Sequence, residues 1–237
     1  MLTLERLSEL FETYRTAAAA RVKEFSIAGR QFRFNSNPAV MGVINLSADS
    51  WYRESVCLSS KSAIERGQIL AAQGADIVDV GAESTLANAA HATGQLQKSK
   101  LVPVIKALRA KNILVSIETY SAAVTRASLE SGANILNWTG NANSKEIFKM
   151  AAAHDAAVII CYLQGKNVRA VRDFHLTADP VRPMREFFQR QIEMAARNGL
   201  EKLFLDPGLG FYYRNLQDGA IRVRHQITVF LNTFRLR

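Results

Sequence analysis

The sequence is poor in cysteine and has no long apolar run, and these two absences limit the class of protein. Its two cysteines, Cys57 and Cys161, stand in unrelated contexts without metal-ligand spacing, which indicates a reducing, cytoplasmic location. No stretch of about 18 consecutive apolar residues occurs, so we expect no membrane-spanning helix. The N-terminal segment contains acidic residues and lacks the apolar core of a signal peptide, so secretion is not expected.

A run of consecutive basic residues is also missing, although the net charge is +9. Basic residues interleaved with aromatic ones, as in proteins that bind single strands, are absent as well, so nucleic acid is an unlikely partner. A solvated basic surface explains the charge, and an anionic small substrate is the alternative. Much of this charge falls late in the chain, at Arg214, Arg222, Arg224, Arg235 and Arg237.

The chain is long enough, at 237 residues of which 48% are hydrophobic, to form one large domain with its own core. Residues 1–37 are predicted to form an N-terminal extension. Within it, an apolar stripe predicts a helix over 2–24, and two short alternating runs around Ala28 and Gly29 predict a β-hairpin over 25–34. Residues 38–237 then follow as a single barrel domain.

Apolar runs of strand length alternate with helical patterns from residue 39 onward. Nearly continuous apolar strands that alternate with helices indicate a parallel sheet covered on both faces. The predicted strands are 39–46, 75–80, 113–119, 133–138, 156–163 and 202–207, and the predicted helices are 61–73, 97–110, 121–131, 144–153, 180–198 and 216–234.

Polar residues stand at the carboxyl ends of nearly all of these strands, which favours a (β/α)₈ TIM barrel of the α/β class. A doubly wound open sheet would concentrate its ligand contacts at one switch point instead. Six βα units are visible where a full barrel has eight. We therefore expect that the chain is cut short, or that a partner closes the gap. The strand-end residues are Asn45, Asp79 with Glu83, Glu118, Asn137, Tyr162 and Asp206.

Two loops carry residues suited to phosphate or a hydrated metal ion. In the stretch MGVINLSADSW, Asn45 ends a strand and is followed by Ser47 and Asp49, which act equally well as turn formers. In VDVGAESTLANAA, Ser84 and Thr85 offer backbone N–H groups and hydroxyls to phosphate oxygens. Short loops of this composition are common, so each signal alone is weak.

Three other strand ends, at Glu118, Asn137 and Asp206, are expected to converge on one pocket if their strands are neighbours. Carboxylates and a carboxamide in an apolar pocket suit a flat heterocycle with adjacent N–H donors. The alternative is that each side chain is a satisfied polar group beside a helix end. DPGLGF, residues 206–211, is the most specific string, because a stiff turn directly after a buried carboxylate fits a ligand-binding device.

Together these strings resemble the pterin-binding barrel family, that of the dihydropteroate synthases. MGVINLSADSW is similar to the family's Gly-Ile-Leu-Asn-Val-Thr-Pro-Asp-Ser-Phe loop, and ADIVDVGAEST to the segment that ends Gly-Gly-Glu-Ser-Thr-Arg-Pro. SIETY resembles Ser-Ile/Val-Asp-Thr, GANILN resembles Gly-Ala-Asp-Ile-Ile-Asn-Asp, and LDPGLGF resembles Leu-Asp-Pro-Gly-Phe/Ile-Gly-Phe. The motifs recur in the family's order between residues 40 and 211.

The resemblance implies a transferase of folate biosynthesis that joins dihydropterin pyrophosphate to p-aminobenzoate and releases pyrophosphate. It implies that Glu118, Asn137 and Asp206 bind the pterin ring. It also implies that Asn45 meets Mg²⁺ or the pyrophosphate and that Ser84 and Thr85 meet the phosphate region. No residue is expected to act as a catalytic acid or base, and a homodimer is a possible assembly.

The departures from the family pattern leave other functions open. Several cationic contacts are missing, including the C-terminal Ser-Arg-Lys and Arg-x-His segments, and each lost charged hydrogen bond would remove about 1.5–3 kcal/mol. One alternative is a catalytically silent paralogue that binds a pterin or a partner and regulates. Another is a different folate-barrel enzyme, such as a methyltetrahydrofolate methyltransferase. The altered motif positions are Ala48, Leu86, Glu118, Trp138, Tyr162 and Tyr213.

Overall fold

A computed structural model describes residues 3–50, 52–86, 89–170, 173–211, 213–216 and 218–237. Its main feature is a sheet of parallel strands in the sequential order β3-β4-β5-β6-β7-β8, with helices between successive strands. The strands are β1 Ser26–Ile27, β2 Arg30–Gln31, β3 Met41–Asn45, β4 Ile77–Gly81, β5 Leu114–Thr119, β6 Ile135–Trp138, β7 Ala157–Cys161 and β8 Leu203–Asp206. The helices are α1 Leu4–Thr13, α2 Arg15–Ala19, α3 Ser60–Ala72, α4 Gly94–Arg109, α5 Ala122–Glu130, α6 Ser144–Ala153, α7 Val181–Arg197 and α8 Gly219–Asn232.

The sheet is that of a TIM barrel which stops after its sixth strand, as the count of βα units predicted. The residues that the structure describes pair β3 only with β4 and β8 only with β7, so these two strands form open edges. Strands β4 and β7 are buried along their whole length, whereas every residue of β8 keeps some exposure. The predicted βα alternation is confirmed, with strand and helix ends shifted by a few residues.

The hairpin prediction is also confirmed, because β1 and β2 pair antiparallel with Ser26 opposite Gln31. Ala28 and Gly29 both have positive φ, of 49° and 81°, which is the backbone that a two-residue turn of this kind needs. Ile27 and Phe32 of this hairpin are buried in the same apolar core as β6 and β7. The N-terminal hairpin thus packs into the core of the barrel.

The prediction of a single helix over 2–24 is wrong. Helix α1 ends before Tyr14, and α2 ends at Ala19, after which the backbone turns at Ala20 to φ −65° and ψ 141°. The next residues run extended because the Asn35 side chain accepts from the Val22 backbone N–H and donates to the Val22 carbonyl, both at 2.9 Å. A tertiary contact therefore overrides the helix propensity of the alanine run.

The register of the sheet sets three of the polar strand-end residues, Asn45, Glu118 and Asn137, in one row. Asn45 pairs with Gly81, Gly81 with Glu118, and Glu118 with Asn137. Asn137 pairs with Ile159, so Cys161 and Asp206, which pair with each other, lie two residues beyond this row. Because paired residues of parallel strands point to the same face of the sheet, this row delivers the polar side chains to one end of the barrel. No helix of the described ranges is long and apolar enough to cross a membrane.

Candidate pterin and phosphate site

A chain of polar contacts runs across four strands at the carboxyl end of the barrel. Asn137 donates from Nδ2 to Asp79 Oδ2 at 3.2 Å. The Cys161 thiol lies 3.3 Å from both Asn137 Oδ1 and Asp206 Oδ2, so its single proton is shared between the two acceptors. The structure therefore brings Asn137 and Asp206 together through Cys161, which lies between them, and it adds Asp79 as a further partner of Asn137. The sequence motifs gave neither Cys161 nor Asp79 a role.

Asp79 lies in the middle of β4, two residues before the strand end at which the sequence pattern placed it. Its side chain is 5% exposed, and burial raises its pKa. The Oδ1 atom has no partner at hydrogen-bonding distance among the described residues, and the nearby Ser116 hydroxyl offsets only part of the effect of burial on the pKa. A buried acceptor without a partner costs about 1–3 kcal/mol, so Asp79 is suited to receive an N–H donor from a ligand.

Asp206 ends β8 and fixes the turn that follows it. Its Oδ1 accepts a hydrogen bond of 2.8 Å from the Gly208 backbone N–H. Gly208 has φ +75°, and a Cβ on it would stand 2.7 Å from the Tyr162 carbonyl oxygen, so only glycine fits here. The interpretation of DPGLGF as a stiff turn after a carboxylate is consistent with this geometry.

Glu118 stands apart from this chain of contacts and has its own partner. Thr139 donates from Oγ1 to Glu118 Oε1 at 2.5 Å. Removal from bulk water, and then the negative charges of Asp79 and Glu83, raise the pKa of Glu118 to about 8. Glu118 therefore carries a proton over most of the neutral range, and it offers a ligand a donor as well as an acceptor.

Asn45 closes the row on the β3 side. Its Nδ2 donates to Ser55 Oγ at 2.7 Å, and that hydroxyl donates in turn to the Tyr52 carbonyl at 2.6 Å. The amide is thereby oriented so that Oδ1 faces Gly81, 3.3 Å from the position of a Cβ on that residue. An amide oxygen beside the pocket is a suitable ligand for a hard cation.

The first and second loops are joined to each other. Ser84 donates from its hydroxyl to the Asp49 carbonyl at 3.2 Å, and Asp49 Oδ2 accepts from the Ala90 N–H at 3.3 Å. Ser84 Oγ also accepts from the Leu86 N–H. Ser84 is thus buried and engaged within the loops, whereas Thr85 next to it is half-buried and lies at the surface of this pair. Ser47 Oγ accepts from the Asp49 N–H, which fits its alternative role as a turn former.

Glu83 anchors the second loop to the elements around it. Its carboxylate accepts from the Ala92 N–H at 3.2 Å and from Gln97 Nε2 at 3.1 Å, and it lies 3.1 Å from His91 Nδ1. Arg169, which follows β7, places Nη1 3.9 Å from the same carboxylate. The motifs gave no signal for Arg169, because the contact joins residues far apart in sequence.

The altered motif positions Tyr162 and Tyr213 are filled by buried rings. Each is 4% exposed. Tyr213 stacks on Phe174 with ring centroids 4.7 Å apart, and its hydroxyl is buried without a partner in the described part of the chain. Tyr162 packs edge-on against Phe187 at 5.4 Å. Tyr213, at the position where the family pattern has a lysine, therefore brings no positive charge to the pocket.

Comparison with known proteins shows what this barrel is similar to. The model of the pterin binding enzyme family matches residues 41–232. The dihydropteroate synthase of Synechocystis sp. is 32% identical over 184 residues, which are 76% of this chain and 63% of that protein. The dihydropteroate synthase of Streptococcus pyogenes serotype M3 is 33% identical over 186 residues, which are 76% of this chain and 66% of that protein. The chain thus spans less than two thirds of the length of these curated relatives.

Solved structures give the same result for the fold. The Xanthomonas albilineans dihydropteroate synthase with 4-aminobenzoic acid superposes with a TM-score of 0.71 at 26% sequence identity. The superposition covers 90% of this chain and 73% of the other.

Proposed function

Because this chain belongs to the family of pterin-binding enzymes, we propose that it binds a dihydropterin and transfers it to an aniline, as a dihydropteroate synthase-like transferase of folate biosynthesis. The observation that carries this proposal is the connected set of acceptors at the carboxyl end of the sheet, in which Asp79 is buried and its Oδ1 has no hydrogen-bond partner within the described residues. The pterin ring presents adjacent N–H donors along one edge. Such an edge fits Asp79, Asn137 and Asp206, which already form one connected set.

The reaction requires positioning more than acid or base chemistry. The bond between the exocyclic methylene and the pyrophosphate oxygen breaks with its electron pair on the oxygen, and the aniline nitrogen forms the new bond to the methylene carbon. The nitrogen then loses its proton to solvent water. The protein holds the ring against Asp79, Asn137 and Asp206 and keeps the two reacting groups aligned. Such alignment lowers the activation barrier without a proton donor from the protein.

Mg²⁺ remains a proposal, and Asn45 is the residue that would hold it. The described ranges contain no cluster of three or more His, Cys, Asp or Glu residues suited to a metal ion. Mg²⁺ keeps several waters and often binds through one protein group together with substrate phosphates, so a single oriented amide oxygen fits it. The ion would neutralise the departing pyrophosphate.

A second function, that of a catalytically silent pterin-binding paralogue, is favoured by the phosphate half of the site. Leu86 and Tyr213 bring no charge at two positions where the family pattern has cations, and the Tyr213 ring is buried. Such a protein would bind the pterin ring with no gain from the pyrophosphate.

Calorimetric titration separates the two functions. Dihydropterin pyrophosphate and a dihydropterin without phosphates are titrated separately, each with and without Mg²⁺, and product formation with p-aminobenzoate is measured. The synthase predicts tighter binding of the pyrophosphate in Mg²⁺ and formation of dihydropteroate. Equal affinity for both ligands without product supports the silent paralogue, and no binding of either ligand contradicts both functions.

We also propose that the protein works in the cytosol and that two copies associate. Cys57 and Cys161 are both free and buried, which fits a reducing compartment. Helix α8 exposes Val223, Ile227 and Phe230, which lie within one face of the helix, and exposed apolar surface of this kind is typical of contacts between chains. Light scattering during gel filtration would measure the mass, and a monomer at all concentrations would contradict the association.

A further inference from the structure

The Arg169 side chain is hydrogen-bonded to two points of the second loop, Ser84 and Ala89. It lies in a short 3₁₀ turn, Val168–Ala170, and is 4% exposed. Its Nη1 donates to the Ser84 carbonyl and its Nη2 to the Ala89 carbonyl, each at 2.6 Å. The guanidinium therefore spans the loop on both sides of Thr85 and Leu86.

The guanidinium is not fully satisfied by these contacts. Its Nε is buried and has no hydrogen-bond partner among the residues that the structure describes. A guanidinium has five N–H groups, and the two carbonyls accept two of them. The Glu83 carboxylate lies 3.9 Å from Arg169 Nη1, which is too long for a hydrogen bond. Because a buried unpaired donor is costly, the remaining N–H groups call for an acceptor from outside the chain.

Arg169 is linked to the end of β5 through its influence on Tyr120. Its positive charge acts on the Tyr120 hydroxyl, which also hydrogen-bonds to Glu83, although burial is the main influence and raises the pKa of Tyr120. Tyr120 follows β5 directly after Thr119, two residues beyond Glu118. The guanidinium thus lies at the second loop, on which Ser84 and Thr85 are the residues expected to meet the phosphate region.

We propose that Arg169 is the anion-binding residue of this site and that its guanidinium contacts the pyrophosphate of the substrate. Arg169, in the connection after β7, thereby replaces the cation that the family pattern has at the position of Leu86. A planar guanidinium with several free N–H groups fits phosphate oxygens better than a point charge. This inference rests on the proposed function, since it needs a pterin that carries a phosphate group.

The test compares two ligands on four proteins. Calorimetry in Mg²⁺ measures the affinity for dihydropterin pyrophosphate and for dihydropterin without phosphates, on the wild type, R169M, R169K and the double variant R169M/L86R. We expect R169M to lose about 10- to 100-fold in affinity for the pyrophosphate, with the affinity for the bare pterin unchanged. R169K should lose less, and L86R in the R169M background should recover much of the loss.

The ratio of the two affinities distinguishes binding from a structural role. An equal loss for both ligands, or unchanged pyrophosphate affinity in R169M, would overturn the proposal. If R169M fails to fold, as judged by thermal unfolding without ligand, R169K carries the same comparison. If the wild type binds both pterins with equal affinity, the role of Arg169 is contradicted while the binding of the pterin ring is supported. If the wild type binds neither ligand, the proposed function itself is contradicted.

Discussion

Gly81 and Glu118 are paired in register on neighbouring strands, and Glu118 Oε2 lies 3.0 Å from where a Cβ on residue 81 would stand. The absence of a side chain at Gly81 is thus what allows the longer acid at position 118 to lie in the row. An added methyl group would have to displace the carboxylate, since real Cβ atoms are rarely so close to another atom.

We therefore predict that Gly81→Ala moves Glu118 and destabilises the protein by about 1–3 kcal/mol, the usual cost of overpacking. Chemical denaturation measures the free energy of unfolding, and titration with dihydropterin measures the accompanying loss of affinity. Gly210→Ala is the matched control, because a Cβ at Gly210 meets no atom within 4 Å. Equal effects of the two substitutions would refute the close approach.

The raised pKa of Glu118 predicts a pH dependence of stability. Its ordinary value is 4.5, and in the folded protein it is about 8, so between these values the folded state holds a proton that the unfolded state has lost. Stability should therefore fall as pH rises from about 4.5 to 8, by at most about 1.4 kcal/mol per pH unit. Glu118→Gln should flatten this slope and be the more stable protein above pH 8.

Unfolding by urea at a series of pH values gives the slope for each variant. Glu130→Gln, at the exposed end of α5, controls for the loss of a carboxylate elsewhere. Identical slopes in the wild type and Glu118→Gln would show that Glu118 titrates as an ordinary carboxylate.

Removal of the Cys161 thiol should break the contact that links Asn137 to Asp206. Cys161→Ala leaves an acceptor on each neighbour without its donor, so we expect a loss of about 1–3 kcal/mol in unfolding free energy. Cys161→Ser keeps a donor and should lose less. Cys57→Ala, at the other buried cysteine, separates this effect from the loss of a thiol in the core. If alanine and serine at position 161 are equivalent, the shared proton contributes nothing.

Asp206→Ala should abolish pterin binding, because it removes an acceptor of the set formed by Asp79, Asn137 and Asp206 and releases the Gly208 turn. Asp206→Asn keeps the shape and one oxygen and should bind with reduced affinity. Calorimetric titration with dihydropterin measures both variants, and thermal unfolding verifies that each is folded. Unchanged affinity in the alanine variant would show that the pocket is assigned to the wrong residues.

The alternation of strands and helices could be read from the sequence because each strand is a short apolar run bounded by polar residues. The row of Asn45, Glu118 and Asn137 followed from strand ends alone, since parallel strands in sequential order carry their carboxyl ends to one edge. The helix over 2–24 could not be corrected in advance, because the Asn35 contact to Val22 joins separate segments. Arg169 was missed for the same reason, as its partners lie about 80 residues earlier in the chain.

The contacts of Asp49 with Ser84 and Ala90 have a kinetic consequence. Two loops that are hydrogen-bonded to each other, and held below by Lys100 from Nζ to the Leu46 carbonyl at 2.9 Å, cannot open independently at low cost. Ligand entry and product release should then share one opening event with one rate constant. A stopped-flow trace of pterin binding should accordingly show a single exponential phase. The double variant Asp49→Ala/Ser84→Ala, which removes both contacts between the loops, should divide it into two phases.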